Sequence, residues 1–193
     1  PNRVPRLVTR NATILSCNYS NSDKNFRTGS MDPFDINKEE NAQRFLAEAY
    51  EKQMAGQIDE AIALYLKSIE ASPSAEAHQY LGWAYSLKGR FGDAIRECEK
   101  AIQIDPQYGN PYNDIGAYLI ETGRWSEAIS WLEKATAAER YEGRFYAWYN
   151  LGRVFEYEGD WMKALGAYRH ALEQNPQYTL AEKAIRRMES ALN

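Results

Sequence analysis

The sequence predicts an all-α fold, a solenoid of four helix-turn-helix units followed by a C-terminal capping helix. Three observations predict it. Gly56, Gly89, Gly123 and Gly159 recur at intervals of 33, 34 and 36 residues. Ala61, Ala94, Ala128 and Ala164 keep those intervals, as do Ile58, Phe91, Trp125 and Trp161, each two residues after its glycine. A small-residue column runs Ala49, Gly82, Gly116 and Gly152, preceded in the last three by Leu81, Ile115 and Leu151. Columns held in register over periods of this length mark stacked repeats.

The elements follow in order. Asn37 with Lys38, Glu39 and Glu40 reads as a capped helix start ahead of the first unit. The units fall at about 42–74, 75–108, 109–144 and 145–177, within a repeat domain of 31–193. In the second, Leu81, Ala84, Tyr85 and Leu87 recur at helical spacing up to Gly89. Beyond it Phe91, Ala94, Ile95, Cys98, Ala101 and Ile102 resume the pattern. Glycine suits the left-handed residue that ends a helix, and Asp105-Pro106 stops the second helix. Gly82 and Gly116 let the paired helices lie close, with Ala94 and Ala101 doing the same from the other side. Pro73, Pro106 and Pro176 close three units, and Arg140 stands where the remaining proline would fall. Two extra residues around Ala138–Arg144 predict a modified turn there, with the solenoid continuing through it. The last helix, about 178–192, carries Leu180, Ala184, Met188 and Leu192 on one stripe, with Lys183, Arg186 and Arg187 off it. A terminal unit needs such a polar outer face.

Composition narrows the function classes. The 193 residues are 44% hydrophobic and 26% charged, enough for a core and too apolar for global disorder. Two cysteines and two histidines leave no disulfide framework and almost no material for a zinc site. No apolar run approaches the roughly 20 residues of a membrane helix. Residues 1–30 set Arg3, Arg6, Arg10, Lys24 and Arg27 against Asp23, a net +4, and the rest carries −8. That acidic remainder argues against a nucleic-acid partner. The opening stretch lacks helical periodicity and any apolar segment fit for a secretory signal, so a cytoplasmic location is expected. Its sequons at Asn11 and Asn18 matter only in a secreted glycoprotein. Gly29-Ser30-Met31 reads as a cloning junction before a start methionine. Residues 1–30 are therefore either vector-derived or a flexible basic arm, and are set aside from fold reasoning.

The residues Leu81-Gly82, Tyr85, Gly89, Ala94, Ala101 and Pro106 resemble the tetratricopeptide-repeat family. So do Trp148, Leu151-Gly152, Phe155, Gly159, Ala164, Tyr168, Ala171 and Pro176. The resemblance covers about residues 42–176. The first unit departs from the pattern with Glu48-Ala49 and Lys52, and the third lacks its proline. The resemblance implies a right-handed solenoid whose concave groove holds an extended or helical peptide.

No catalytic or cofactor motif is found, so a non-enzymatic binding module without cofactor or metal is expected. His78 and His170 lie on separate helices far from any ligand cluster, and each reads as a packing or surface residue. Cys98 shares a column with Tyr65, Leu132 and Tyr168 and reads as core, while Glu97, Glu99 and Glu133 read as solvated. The first helix of each unit lines the groove. Its candidate residues are Leu46, Tyr50 and Gln53; Gln79, Trp83 and Ser86; Asn113, Ala117 and Ile120; and Tyr149, Arg153 and Glu156. Tyr146, Asn150 and Tyr157 lie close by. Phe45, Tyr85, Tyr112 and Trp148 already fill the core columns, which leaves Tyr50, Trp83 and Tyr149 as surplus aromatics suited to binding hot spots. Chaperone-tail adaptors of the family clamp a terminal carboxylate with cationic and amide side chains. Here those places hold Leu46, Tyr50, Tyr80, Asn110 and Asp114. The expected ligand is an apolar or aromatic protein segment with Arg153 as charge anchor. The alternative is a self-associating scaffold joined through aromatic surface, Trp131 included, or through solenoid ends.

Overall fold

The computed structural model describes residues 33–192, and the expectations for residues 1–30 lie outside the described residues. Nine helices make up the described chain. They are α1 (Pro33–Met54), α2 (Ile58–Ala71), α3 (Ala75–Leu87), α4 (Phe91–Ile104), α5 (Gly109–Glu121), α6 (Trp125–Ala137), α7 (Arg144–Glu158), α8 (Trp161–Gln174) and α9 (Thr179–Leu192). The chain divides into two compact units between Ser72 and Pro73.

The described part of the first unit is the α1–α2 hairpin. Buried Ala49, Ala61 and Tyr65 join its helices, and the Ser68 hydroxyl donates across to the Ala42 carbonyl at 2.8 Å. Helix α1 begins at Pro33, so Asn37 lies inside the helix and does not cap it. Its amide oxygen accepts from Asn41 Nδ2, one turn on, at 3.1 Å.

The second unit stacks three hairpins, α3–α4, α5–α6 and α7–α8, and ends with α9. Each tight turn rests on its glycine, with φ of 71° at Gly89, 77° at Gly123 and 81° at Gly159. There Arg90 N–H donates to Tyr85 O, Arg124 N–H to Leu119 O and Asp160 N–H to Phe155 O, at 2.8–3.0 Å. This six-to-one bond closes the helix end and needs a left-handed residue just before the donor.

The paired helices meet at the small column. A Cβ on Gly116 would lie 2.5 Å from Leu132 Cδ2, one on Gly152 would overlap the Tyr168 ring, and one on Gly82 would stand 2.9 Å from the Ala94 carbonyl. Opposite Gly82 the column holds Cys98, fully buried, as expected of a core residue.

The hairpins are joined by two kinds of turn. After α4 and α8, the Asp105 and Asn175 side chains accept from Gln107 N–H and Gln177 N–H at 2.9 and 3.1 Å. After α6 the proline is missing, and arginine does the work. Arg144 donates to the carbonyls of Thr136 and Ala138 at the end of α6 and of Glu139 and Tyr141 in the turn that follows. Arg140 pairs with the preceding turn through Arg140 N–H to Gln107 O and Gly109 N–H to Arg140 O, both 3.0 Å. Its guanidinium covers the Tyr108 ring at 4.2 Å and binds Asp105 at 2.6 Å and Glu76 at 2.7 Å. The modified turn thus ties the α6–α7 connection to the α4–α5 connection and to the first turn of α3.

In α9, Ala181, Ala184 and Met188 are buried, while Lys183, Arg186 and Arg187 are exposed.

Gly116→Ala should lower unfolding free energy by about 1–3 kcal/mol, because buried Leu132 cannot withdraw from the added methyl. Denaturant unfolding measures this, and Leu132→Ala in the same chain should leave Gly116→Ala without a further loss.

Candidate functional site

Within the second unit, α3 packs against α5 and α5 against α7, while no comparable contact joins α4 to α6 or α6 to α8. The first helices therefore form the tighter, inner row. Side chains along that row are tied into a ladder. Gln79 Nε2 donates to Asp114 on the next helix. Asn150 Nδ2 donates to Asn113 Oδ1 at 3.1 Å, and Arg153 donates to Asn150 Oδ1 at 3.3 Å. Arg153 also faces Glu121 at 3.5 Å, an ion pair whose geometry falls short of a hydrogen bond. Glu156 accepts from Tyr168 at 2.7 Å and from Arg187 of α9 at 2.6 Å.

This alters several expectations. Gln79, Ser86, Ile120 and Asn150 are buried, at 2%, 4%, 3% and 6% exposure, and are not open groove wall. Gln79 and Asn150 bond to the neighbouring helix, while the Ser86 hydroxyl donates to Trp83 O of its own. Arg153 does not stand free as a charge anchor, since Glu121 and Asn150 occupy it. Tyr157 leaves the group: its ring stacks on Trp125 at 4.3 Å and 9°. Trp83, Asn113, Ala117, Tyr146, Tyr149 and Glu156 are half-buried on the inner row. Leu46 and Tyr50 are half-buried in the first unit, where Gln53 is buried with neither amide atom hydrogen-bonded.

Sequence reasoning missed Tyr178, two residues past the closing proline. Its ring meets Phe145, Tyr146 and Tyr149 edge-on at 4.9, 5.6 and 5.3 Å. Tyr149 also touches Tyr168 at 5.5 Å. Burial pushes the phenols of Tyr149, Tyr168 and Tyr178 up, so all three stay neutral donors near pH 7. Tyr108 is the counterpart of Tyr178, 29 residues after Gln79 as Tyr178 is 29 after Tyr149. The Tyr108 hydroxyl donates to Gln79 at 3.3 Å and accepts from Asn110 at 2.9 Å. The Tyr178 hydroxyl has no hydrogen-bond partner, because the place of Gln79 is taken by Tyr149. The repeated Pro-Gln-Tyr of 106–108 and 176–178 was the available signal.

Outside the row, His78 is buried with Nδ1 2.7 Å from Glu97 Oε2, and Lys100 donates to Glu97 at 2.8 Å. Glu97 is therefore wedged between helices and is not solvated as expected. Burial raises its carboxyl, but the hydrogen bonds from His78 and Lys100 outweigh burial and hold it below the usual glutamate range. His170 is exposed beside Glu173 and lies 4.7 Å from the Trp148 ring. Burial pushes the Cys98 thiol well up, which keeps it protonated. Trp131 is half-buried against Tyr112 and Lys134. Among the described residues, no His, Cys, Asp and Glu group could hold a metal ion, and no helix is long and apolar enough to cross a membrane.

The fold and its inner row define a class, the α-helical repeat proteins built of stacked hairpins. Models of the tetratricopeptide-repeat family match residues 75–108 and 145–178, the second and fourth units. Small glutamine-rich tetratricopeptide repeat-containing protein 2 of Mycosarcoma maydis is 29% identical over 99 residues, 51% of this chain and 28% of that protein. This chain thus spans less than a third of that curated relative. Among solved structures, Pseudomonas aeruginosa pilF aligns with a TM-score of 0.74 at 22% identity, covering 79% of this chain and 69% of that one. YrrB, described as a tetratricopeptide-repeat protein with an unusual peptide-binding site, aligns at 0.61 and 23% identity, covering 83% and 84%. Residues 75–108 and 145–178 are thus tetratricopeptide repeats, and repeats of this kind mark a protein–protein interaction module.

Two measurements check this packing. Tyr108→Phe should cost about 1 kcal/mol in denaturant unfolding, while Tyr178→Phe should be neutral or stabilising, since it removes a buried hydroxyl that bonds to nothing. Because the folded Glu97 carboxyl titrates below its unfolded value of about 4.3, its stabilisation is present above that pH and disappears as acid protonates the folded form. Unfolding free energy should accordingly fall below about pH 4.5. Glu97→Gln should be less stable at pH 7 and lose less on acidification.

Proposed function

We propose that the inner row of the second unit binds an extended segment of another protein, through the half-buried rings of Trp83, Tyr146 and Tyr149 and the amide of Asn113. One observation carries the reading. The amide and acid groups of the row run from helix to helix as a ladder, Gln79 to Asp114 and Asn113 to Asn150 to Arg153. A peptide backbone offers the same donors and acceptors, so it can extend such a ladder along its length. Rings beside the ladder supply contact area at low entropic cost. The likeness to YrrB is at 23% identity and supports the fold alone, so the peptide reading rests on this chain's own side chains. The two arginines against the row are each paired, Arg153 facing Glu121 and Arg187 of α9 holding Glu156. That favours an apolar or aromatic segment over an acidic tail. In the first unit, taken by itself, Leu46 and Tyr50 of α1 are proposed as the corresponding contact residues.

The expected affinity is about micromolar, as for a flexible segment that must be ordered. Trp83→Ala with Tyr149→Ala should reduce partner binding by tenfold or more while leaving far-ultraviolet circular dichroism unchanged. Calorimetry with a partner segment found by affinity capture measures it. Unchanged affinity in a folded double variant would remove the inner row as the site.

A further inference from the structure

Three exposed large hydrophobic side chains of the second unit fall close together in the chain, at the α7–α8 turn. Tyr157 ends α7 at 66% exposure, and Trp161 and Met162 open α8 at 43% and 79%. Each second helix opens with an apolar residue in the column of Phe91, Trp125 and Trp161. The earlier two are covered by a tyrosine from a neighbouring first helix. Phe91 meets Tyr118 at 6.0 Å, and Trp125 is stacked flat by Tyr157 at 4.3 Å and 9°. Trp161 has no such cover, because α9, the helix that follows, contains no aromatic residue. Tyr157, meanwhile, uses one face on Trp125 and leaves the other open. The same short edge thus holds a tryptophan lacking a ring and a ring with a free face.

We infer that this edge is a self-association surface, on which Tyr157 of each copy stacks against Trp161 of the other about a two-fold axis. An isologous contact pairs residue i with j and j with i, which these two side chains satisfy together. It also sets each charge near its own duplicate, so few charges can be left unpaired on it in a chain of net charge −4. Asp160 holds Lys163 at 2.8 Å and Arg124 holds Glu127 at 2.6 Å. Glu158 keeps its charge and accepts from Ser126 at 2.8 Å, which leaves one carboxylate per copy for salt to screen. The three side chains expose roughly 400 Å² of apolar surface, comparable to the largest patch of a typical monomer. A pair would bury about twice that, below the ~1,200 Å² of stable complexes, so the dimer is weak and dilution-sensitive.

Sedimentation of the full chain from about 10 μM to 1 mM tests it, the range in which a contact of this size should assemble. Weight-average mass should climb from 22.2 kDa toward twice that value. Trp161→Ala and Tyr157→Ala should each stay monomeric across the range, and Leu66→Glu, on exposed surface of the first unit, should associate as the parent does. Mixing Trp161→Ala with Tyr157→Ala should restore association, because that heterodimer alone keeps one complete stack. Circular dichroism confirms that each variant is folded. A parent chain monomeric throughout, a dimer that survives Trp161→Ala, or a mixture that stays monomeric while the parent dimerises would each overturn the proposal.

Discussion

The structure depends on how closely the two helices of a hairpin approach, and that distance is set where one helix has no side chain. At Gly116 and Gly152 the space a methyl would need is filled by Leu132 and Tyr168. Buried large residues on the second helix thus press against bare backbone on the first, which brings the helix axes together and excludes water between them. Residue size varies along the facing column: Cys98 against Gly82, Leu132 against Gly116, Tyr168 against Gly152. In the α5–α6 and α7–α8 hairpins bulk on one helix is met by its absence on the other, while at Gly82 the close neighbours are the Ala94 carbonyl and the small Cys98.

This approach brings the first helices into a row of their own. Once each second helix is drawn onto its partner, the next first helix lands beside the previous one, and α3, α5 and α7 come into mutual contact. Their facing polar side chains are then withdrawn from water, and buried amides must find partners or lose about 1–3 kcal/mol each. The Gln79–Asp114 and Asn113–Asn150 bonds answer that demand. Tyr178 shows the opposite outcome, a hydroxyl enclosed by rings with no partner, because its neighbour at 149 is a tyrosine where the second hairpin has Gln79.

What could be read from the sequence follows the range of the interactions. Gly89, Gly123 and Gly159 act on their own turns, and Gly82, Gly116 and Gly152 act within one hairpin, so both sets leave columns in the sequence. The lengthened turn at 138–144 was visible as an insertion, but the roles of Arg140 and Arg144 were not. The partners of Arg140, Glu76 and Asp105, lie far along the chain, while Arg144 folds back on backbone carbonyls of its own turn and of Thr136, which no residue type marks. Glu97 was misread for a related reason. A helical stripe gives the direction of a side chain along its own helix, not whether His78 of the neighbouring helix closes over it. The inner-row candidates were placed on the correct helices, yet Gln79, Ile120 and Asn150 proved buried, because burial there comes from the adjacent repeat.

A ladder that is already bonded has a consequence for recognition. A segment entering the inner row would meet an Asn113 whose Oδ1 already accepts from Asn150, with its NH2 and second lone pair left to exchange water for the segment. Exchange of one polar partner for another leaves a small net term, about 1 kcal/mol or less. On the proposed reading the polar groups would fix register and direction, and affinity would have to come from apolar area. On this row that area is concentrated in aromatic rings whose edges are already packed and whose orientation is already set. Tyr149 is held by Tyr168 and Tyr178, and Tyr146 by Phe145 and Tyr178. Rings fixed in this way lose little rotamer freedom when they are covered, so more of their contact energy is retained on binding.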